Sequence, residues 1–195
     1  SSDLEMITTG EITCADENHM ILLGYLTFFD APKKSAKEAI KKLRDLEVRT
    51  KILTGDRKDV ALSVCQRVGV NCSRILTGQE IENLEESQLQ TAVEYGEVFA
   101  ELTPNQKVEI IQVLRENGHT VGFLGDGLND VPAICEADVG ISVDTAVDAA
   151  KDAADVVLLD KDLNVLEEGI LEGRKTFINM SKYIRITASS NFGNI

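Results

Sequence analysis

The stretch His119–Ile134, HTVGFLGDGLNDVPAI, carries the reading of the fold. An apolar run, TVGFL, leads into a glycine-rich acidic turn, GDGLND, and Pro132 then stands where a helix begins its first turn. A buried strand that ends in a tight turn and re-enters a helix is half of a βα unit. In open α/β sheets, ligands bind beyond the carboxyl ends of the strands. Asp126, Asn129 and Asp130 stand at such an end.

The same grammar repeats outward from this stretch. ILLGYLTFF (Ile21–Phe29) is a β-prone apolar run. SAKEAIKKLRDL follows, with Ser35 as N-cap and Glu38 completing a capping box. VRTKILTG is a strand ending at a glycine, and RKDVALSVCQRVGV is a helix closed by Gly69. EVFAEL (Glu97–Leu102) meets TPNQKVEIIQVLRENG, where Thr103 caps, Pro104 sits at N1 and Gly118 ends the helix. VGISV and DVVLL (Asp155–Leu159) complete the strands, and the polar segment Gly78–Gly96 is expected to hold one exposed helix. Short apolar strands alternating with helices imply a Rossmann-like, mostly parallel sheet with helices on both faces. From Leu166 to Ile195 the pattern becomes one long helix with Arg174, Lys175, Lys182 and Arg185.

Bulk properties narrow the function. The chain has 195 residues and 43% hydrophobic content, enough for a core of its own. A net charge of -13 argues against a nucleic-acid partner and against simple adsorption to anionic lipid. Cys14, Cys65, Cys72 and Cys135 form no C-x-x-C pair and no zinc spacing, so they read as buried reduced thiols of a cytosolic segment. The longest apolar run, Met20–Phe29, is too short to cross a bilayer. The opening Ser1-Ser2-Asp3 and the closing NFGNI both read as cuts within a longer chain.

Three sets of residues at strand ends carry chemistry. Thr54-Gly55-Asp56 offers a hydroxyl and backbone N–H groups to a phosphoryl oxygen, although an ordinary capping turn has the same composition. Lys107 lies in the first turns of the Thr103 helix, where a cation opposes the helix dipole, so an anion is expected beside it; a solvated lysine is the plainer reading. Asp126 and Asp130 supply hard oxygen ligands in small number, which is how Mg²⁺ is held, and the glutamate of an EF-hand loop is missing. Hydroxyl, lysine and Mg²⁺ carboxylates together are the parts of phosphoryl transfer, except for a nucleophile.

In this order, TGD, TPNQK and GDGLNDVP resemble the second half of the phosphorylation domain of P-type ATPases, of the haloacid dehalogenase-like superfamily. FDAPKK (Phe29–Lys34) resembles that family's DPPR-type segment, with Ala31 and Lys33 as departures. LEEGILEGRKTFINMSKYI resembles the lead into a transmembrane helix, and TASSNFGN looks most like the bacterial magnesium-transporting subgroup. The resemblance implies that Thr54 hydrogen-bonds the phosphoryl group, Lys107 neutralises it and Asn129 helps to hold it. It implies Asp126 as a Mg²⁺ ligand and Asp130 as a second ligand or its support. Gly55, Asp56 and Asp30 would lie toward the nucleotide and hinge region. Residues 1–18 would be a remnant linking from a nucleotide-binding domain, 19–165 the phosphorylation domain without its first strand, and 166–195 a stalk toward the membrane. ATP and Mg²⁺ are the implied cofactors, and a cation, magnesium before calcium or protons, the implied cargo at the cytoplasmic face.

The family's phosphorylated aspartate sits in a DKTGT motif, and this sequence contains none. Two other readings follow. LTFFDAPKK could present Asp30 as the nucleophile of a stand-alone phosphatase, although Pro32 occupies the place of the usual second acid. A non-catalytic module that keeps a Mg²⁺/phosphate cup is the other.

Overall fold

The computed structural model describes residues 34–70, 72, 74–160 and 162–192. The expected strand Ile21–Phe29, the FDAPKK segment with Asp30, Cys14 and the 1–18 remnant lie outside the described residues.

The α/β reading holds, with every described strand pairing parallel. The strands are β1 (Ile52–Leu53), β2 (Ile75–Thr77), β3 (Val98–Ala100), β4 (Gly122–Leu124), β5 (Val139–Val143) and β6 (Val156–Leu158). The helices are α1 (Lys34–Asp45), α2 (Lys58–Val68), α3 (Gly78–Glu82), α4 (Glu86–Tyr95), α5 (Pro104–Glu116), α6 (Val131–Glu136), α7 (Asp148–Ala153) and α8 (Leu163–Phe192). Instead of one sheet, the described strands form two, ordered β1-β3-β2 and β4-β5-β6. β1 and β4 are outer strands of their sheets, and these are the strands that lead into the Thr54 and Asp126 turns.

Alternation along the strands explains the layers. On one face of the first sheet, Leu76 and Phe99 pack with Ile81, Leu89, Val93, Ile110, Val113 and Leu114. On the other, Ile75, Val98 and Ala100 pack with Ile40, Ala61, Cys65 and Val68. The second sheet buries Ile141, Val143 and Leu158 against Ile134, Ala146 and Ala150. Leu53 of β1 and Val121, just before β4, both pack on the same cluster, which includes the apolar face of α5. That helix therefore underlies both outer strands.

Five local expectations need correction. Ser35 lies inside α1 rather than at its cap, because the helix is already formed at Lys34. Gly78–Gly96 holds two helices, and Ile81, Leu89 and Val93 bury a narrow stripe that its polar composition hid. β2 went unread because it is three residues long and runs straight into the Thr77 cap of α3. Of the described cysteines only Cys65 is fully buried; Cys72 is half-buried and Cys135 exposed, all as free thiols. The long C-terminal helix starts three residues early, at Leu163. Lys42 of α1 bonds Glu167 of α8 at 2.8 Å, while Phe177, Met180, Tyr183 and Ile184 further along are exposed. Among the described residues no helix is long and apolar enough to cross a membrane.

Candidate phosphate and metal site

Two turns and one helix start carry the candidate residues. The start of α5 is fixed first. Thr103 Oγ1 accepts the Gln106 N–H and Gln106 Oε1 accepts the Thr103 N–H (3.3 and 2.9 Å), a complete capping box followed by Pro104. Gln106 is buried and donates onward to the carbonyl of Gly78 at 3.0 Å. One residue later Lys107 is buried as well, with 8% of its surface exposed.

Lys107 has its anion. Its Nζ donates to Asp130 Oδ1 at 2.7 Å, with the side chains 10% and 16% exposed. A cation near a helix N-terminus is tolerated here because a carboxylate from the neighbouring turn meets it. Asp130 closes a single 3-10 turn, Leu128–Asp130, and its other oxygen accepts the Gly127 N–H at 3.4 Å. Gly125 must be glycine, since a Cβ there would lie 2.6 Å from the Cβ of Asp130. Asp126 and Asn129 are exposed on the outside of this folded turn.

The Asp126 turn is also tied to β5. The Gly125 N–H bonds the carbonyl of Ile141 at 3.1 Å, and Ser142, fully buried, donates from Oγ to the Gly125 carbonyl at 3.0 Å. The Val147 N–H bonds the Asp126 carbonyl at 3.1 Å.

The Thr54 turn is held differently. Thr54 Oγ1 accepts the Asp56 N–H at 3.0 Å, which leaves the hydroxyl proton to donate. The N–H groups of Leu102 and Glu101 strap the carbonyls of Thr54 and Asp56 at 3.1 and 2.9 Å. Glu101 sits at φ 56, unusual for a residue with a side chain, and its Oε1 accepts the Lys58 N–H at the start of α2 (3.1 Å). Thr54, Gly55 and Asp56 therefore meet the β3–α5 link, and Lys107 meets Asp130, at the carboxyl ends of the strands.

Sequence reading named neither Glu101 nor Ser142. Glu101 gave no signal, being one more acid in an acidic chain. Ser142 gave a faint one, as a small polar residue inside the apolar run VGISV.

The donor set can be tested against a metal. Among the described residues no group of three or more His, Cys, Asp or Glu converges on one point. The turn offers an exposed carboxylate, Asp126, with Asp130 already engaged by Lys107. Such a site fits a hard cation that keeps most of its shell as water and phosphoryl oxygens, which is the habit of Mg²⁺.

A family model described as haloacid dehalogenase-like hydrolase matches residues 5–138. The chain belongs to this family. It is 53% identical over 184 residues to the magnesium-transporting ATPase, P-type 1, of Salmonella typhimurium, covering 94% of this chain and 20% of that protein. The Escherichia coli K12 protein of the same name is 50% identical over 186 residues, covering 95% of this chain and 21% of that protein. A calcium-transporting ATPase of Bacillus cereus is more distant, at 35% over 182 residues, with 92% and 20% covered. Among solved structures, the catalytic domain of the CPx-ATPase CopB-B matches with a TM-score of 0.54 and 27% identity, over 71% of this chain and 44% of that one. The chain thus spans about one fifth of the length of the relatives it matches, and it is homologous to a segment of P-type ATPases, magnesium transporters before calcium transporters.

Proposed function

We propose that this haloacid dehalogenase-like segment is the phosphate- and Mg²⁺-holding part of the phosphorylation domain of a P-type ATPase that moves magnesium across a membrane, from its cytoplasmic face. The pair of buried Lys107 and half-buried Asp130, beside the exposed Asp126, carries this reading. It supplies a fixed positive charge and an oriented acidic turn where a phosphoryl group needs both.

The geometry is compatible with the following roles. The Thr54 hydroxyl donates to a phosphoryl oxygen while its lone pairs hold the Asp56 N–H. Lys107 would neutralise phosphoryl charge, and Asp130, bonded to that lysine at 2.7 Å, would keep it in place and serve as a second Mg²⁺ ligand or its support. Asp126 would ligate Mg²⁺, and Asn129 would donate to the phosphate from the same turn. The metal, when bound, supplies charge shielding at the phosphoryl oxygens. Gly55 and Asp56 would face the nucleotide side in this reading; Asp30 lies outside the described residues. ATP would reach the site through a domain outside these 195 residues, and α8 would lead toward the membrane.

The acceptor aspartate must come from elsewhere, since DKTGT is absent from the sequence. Its seat is a strand between β1 and β4. Two observations favour that seat: both strands lie at sheet margins, and both pack on the α5 cluster.

The test uses the longer protein that contains this segment. Radiolabelled ATP should give an acid-stable phosphoprotein, vesicles holding the protein should move Mg²⁺ in preference to Ca²⁺, and Asp126→Asn should abolish turnover without loss of fold. Turnover retained in Asp126→Asn would remove the metal role. The 195-residue chain itself should gain no phosphoryl mass from acetyl phosphate and Mg²⁺. A phosphoryl adduct on this chain that disappears in Asp30→Asn would establish the stand-alone phosphatase instead.

A further inference from the structure

We propose that Ser142 is a positioning residue for the metal ligand Asp126, acting through the Gly125 carbonyl; this rests on the Mg²⁺ role proposed for Asp126. Three polar or charged residues are buried among the described ones: Gln106, Lys107 and Ser142. Gln106 and Lys107 belong to the start of α5 and to the site. Ser142 lies one residue before the end of β5, shows no exposed surface, and spends its hydroxyl proton on a carbonyl of another strand's turn, 3.0 Å away. A hydroxyl in an apolar strand is costly unless bonded, so its presence there needs a reason.

The geometry gives one. The peptide that joins Gly125 to Asp126 is the last rigid unit before the carboxylate. Its carbonyl oxygen is held by Ser142 Oγ, and the next carbonyl, that of Asp126, is held by the Val147 N–H at 3.1 Å. The Gly125 N–H is held by Ile141. Three bonds from β5 and the loop that follows it thus fix the backbone on both sides of Asp126, while the side chain itself is exposed. Two of the three are main-chain bonds that any sequence would make. Ser142 is the one whose loss would let the Gly125–Asp126 peptide rotate, and a ligand that must be ordered on binding binds more weakly than one already placed.

The test reads metal binding directly on this chain, with Mn²⁺ as the probe and paramagnetic broadening of the backbone amides of residues 125–130 as the signal. Wild type should broaden at this turn. Ser142→Ala should need about fivefold more Mn²⁺ for the same broadening, the factor that one lost neutral hydrogen bond commonly gives. Leu158→Ala is the control: it removes buried volume from the same sheet without touching Gly125, so it should lower the melting temperature and leave the Mn²⁺ dependence unchanged. Equal Mn²⁺ dependence in Ser142→Ala and wild type would overturn the proposal. So would an equal weakening in Leu158→Ala, because the effect would then be general loosening of the sheet. No broadening at the turn in wild type would overturn the metal role of Asp126 itself, and the Ser142 role with it.

Discussion

The Thr54 turn and the Asp126 turn occupy equivalent places, each beyond a short outer strand of a parallel sheet, yet they are secured by different means. Main-chain bonds from Glu101 and Leu102 strap the Thr54 turn, and its own side chains are half-buried or exposed. The Asp126 turn has main-chain bonds too, to Ile141 and from Val147, and adds side-chain locks that the Thr54 turn lacks: half-buried Asp130 folded back onto Gly125 and paired with buried Lys107, and buried Ser142 beneath. Backbone straps fix where a turn lies and tolerate changes of side chain. Buried side-chain locks fix its internal angles and tolerate almost none. The metal ligand and charge proposed for the Asp126 turn would demand the second, whereas the single hydroxyl proposed for Thr54 would be served by the first.

The largest break in this comparison comes from the ion pair. Lys107→Met keeps the volume and leaves the Asp130 carboxylate, 16% exposed, without its cation. Removing one partner of a buried pair costs about 3 kcal/mol, and replacing both by apolar groups restores most of that. Urea unfolding of Lys107→Met, Asp130→Leu and the double variant should therefore show strong non-additivity. A loss below about 1 kcal/mol in each single variant would mean that solvent screens the pair as at a surface.

The next break compares two glycines. At Gly125 an added Cβ would come within 2.6 Å of the Asp130 Cβ, so Gly125→Ala must push the lysine pair apart and should cost about 2 kcal/mol. At Gly55 the nearest atom to an added Cβ is the Leu102 carbonyl oxygen at 3.4 Å, an ordinary contact. Gly55→Ala should change stability by less than about 0.5 kcal/mol. Thermal unfolding of the two variants side by side decides this, and equal losses would mean that the turns are locked alike.

How much of this was legible follows the same division. The α5 start was readable in full, because Thr103, Pro104 and Gln106 act within four residues of one another and local chemistry settles them. The anion expected beside Lys107 was readable as a need, since a cation at a helix start breaks a local rule; that Asp130 meets it depends on β4 lying beside α5, which spacing does not encode. Glu101 and Ser142 act across strands through single backbone bonds, at 3.1 and 3.0 Å, and no periodicity marks such contacts. The split into two sheets was hidden for a related reason. Strand patterns declare which segments are strands and leave open which edges meet.

A further break concerns the other end of β1, where the Thr54 strand begins. This strand is two residues long, and side chains anchor its approach. Arg49 Nη2 donates to Glu94 Oε1 at 2.8 Å, and His119 and Asn117 lie on the other Glu94 oxygen at 2.8 and 3.2 Å. Lys51 donates to the carbonyls of Glu94 and Gly96, and burial pushes its ammonium below the usual range. The Arg49 bond first, then His119 and Asn117, hold the Glu94 carboxyl down at about 2, from an ordinary 4.5. A depressed carboxyl binds fewer protons folded than unfolded, so its contribution is complete above pH 4.5 and fades as pH falls toward 2. Glu94→Gln should therefore cost about 1 kcal/mol at pH 6, after allowance for the partly solvated site. The gap from wild type should narrow steadily when urea unfolding is repeated down to pH 3, because the wild type alone loses this term. A gap that stays constant with pH would mean that Glu94 holds β1 by shape and hydrogen bonding alone. In that case the approach to the Thr54 turn would be, like the turn itself, indifferent to charge.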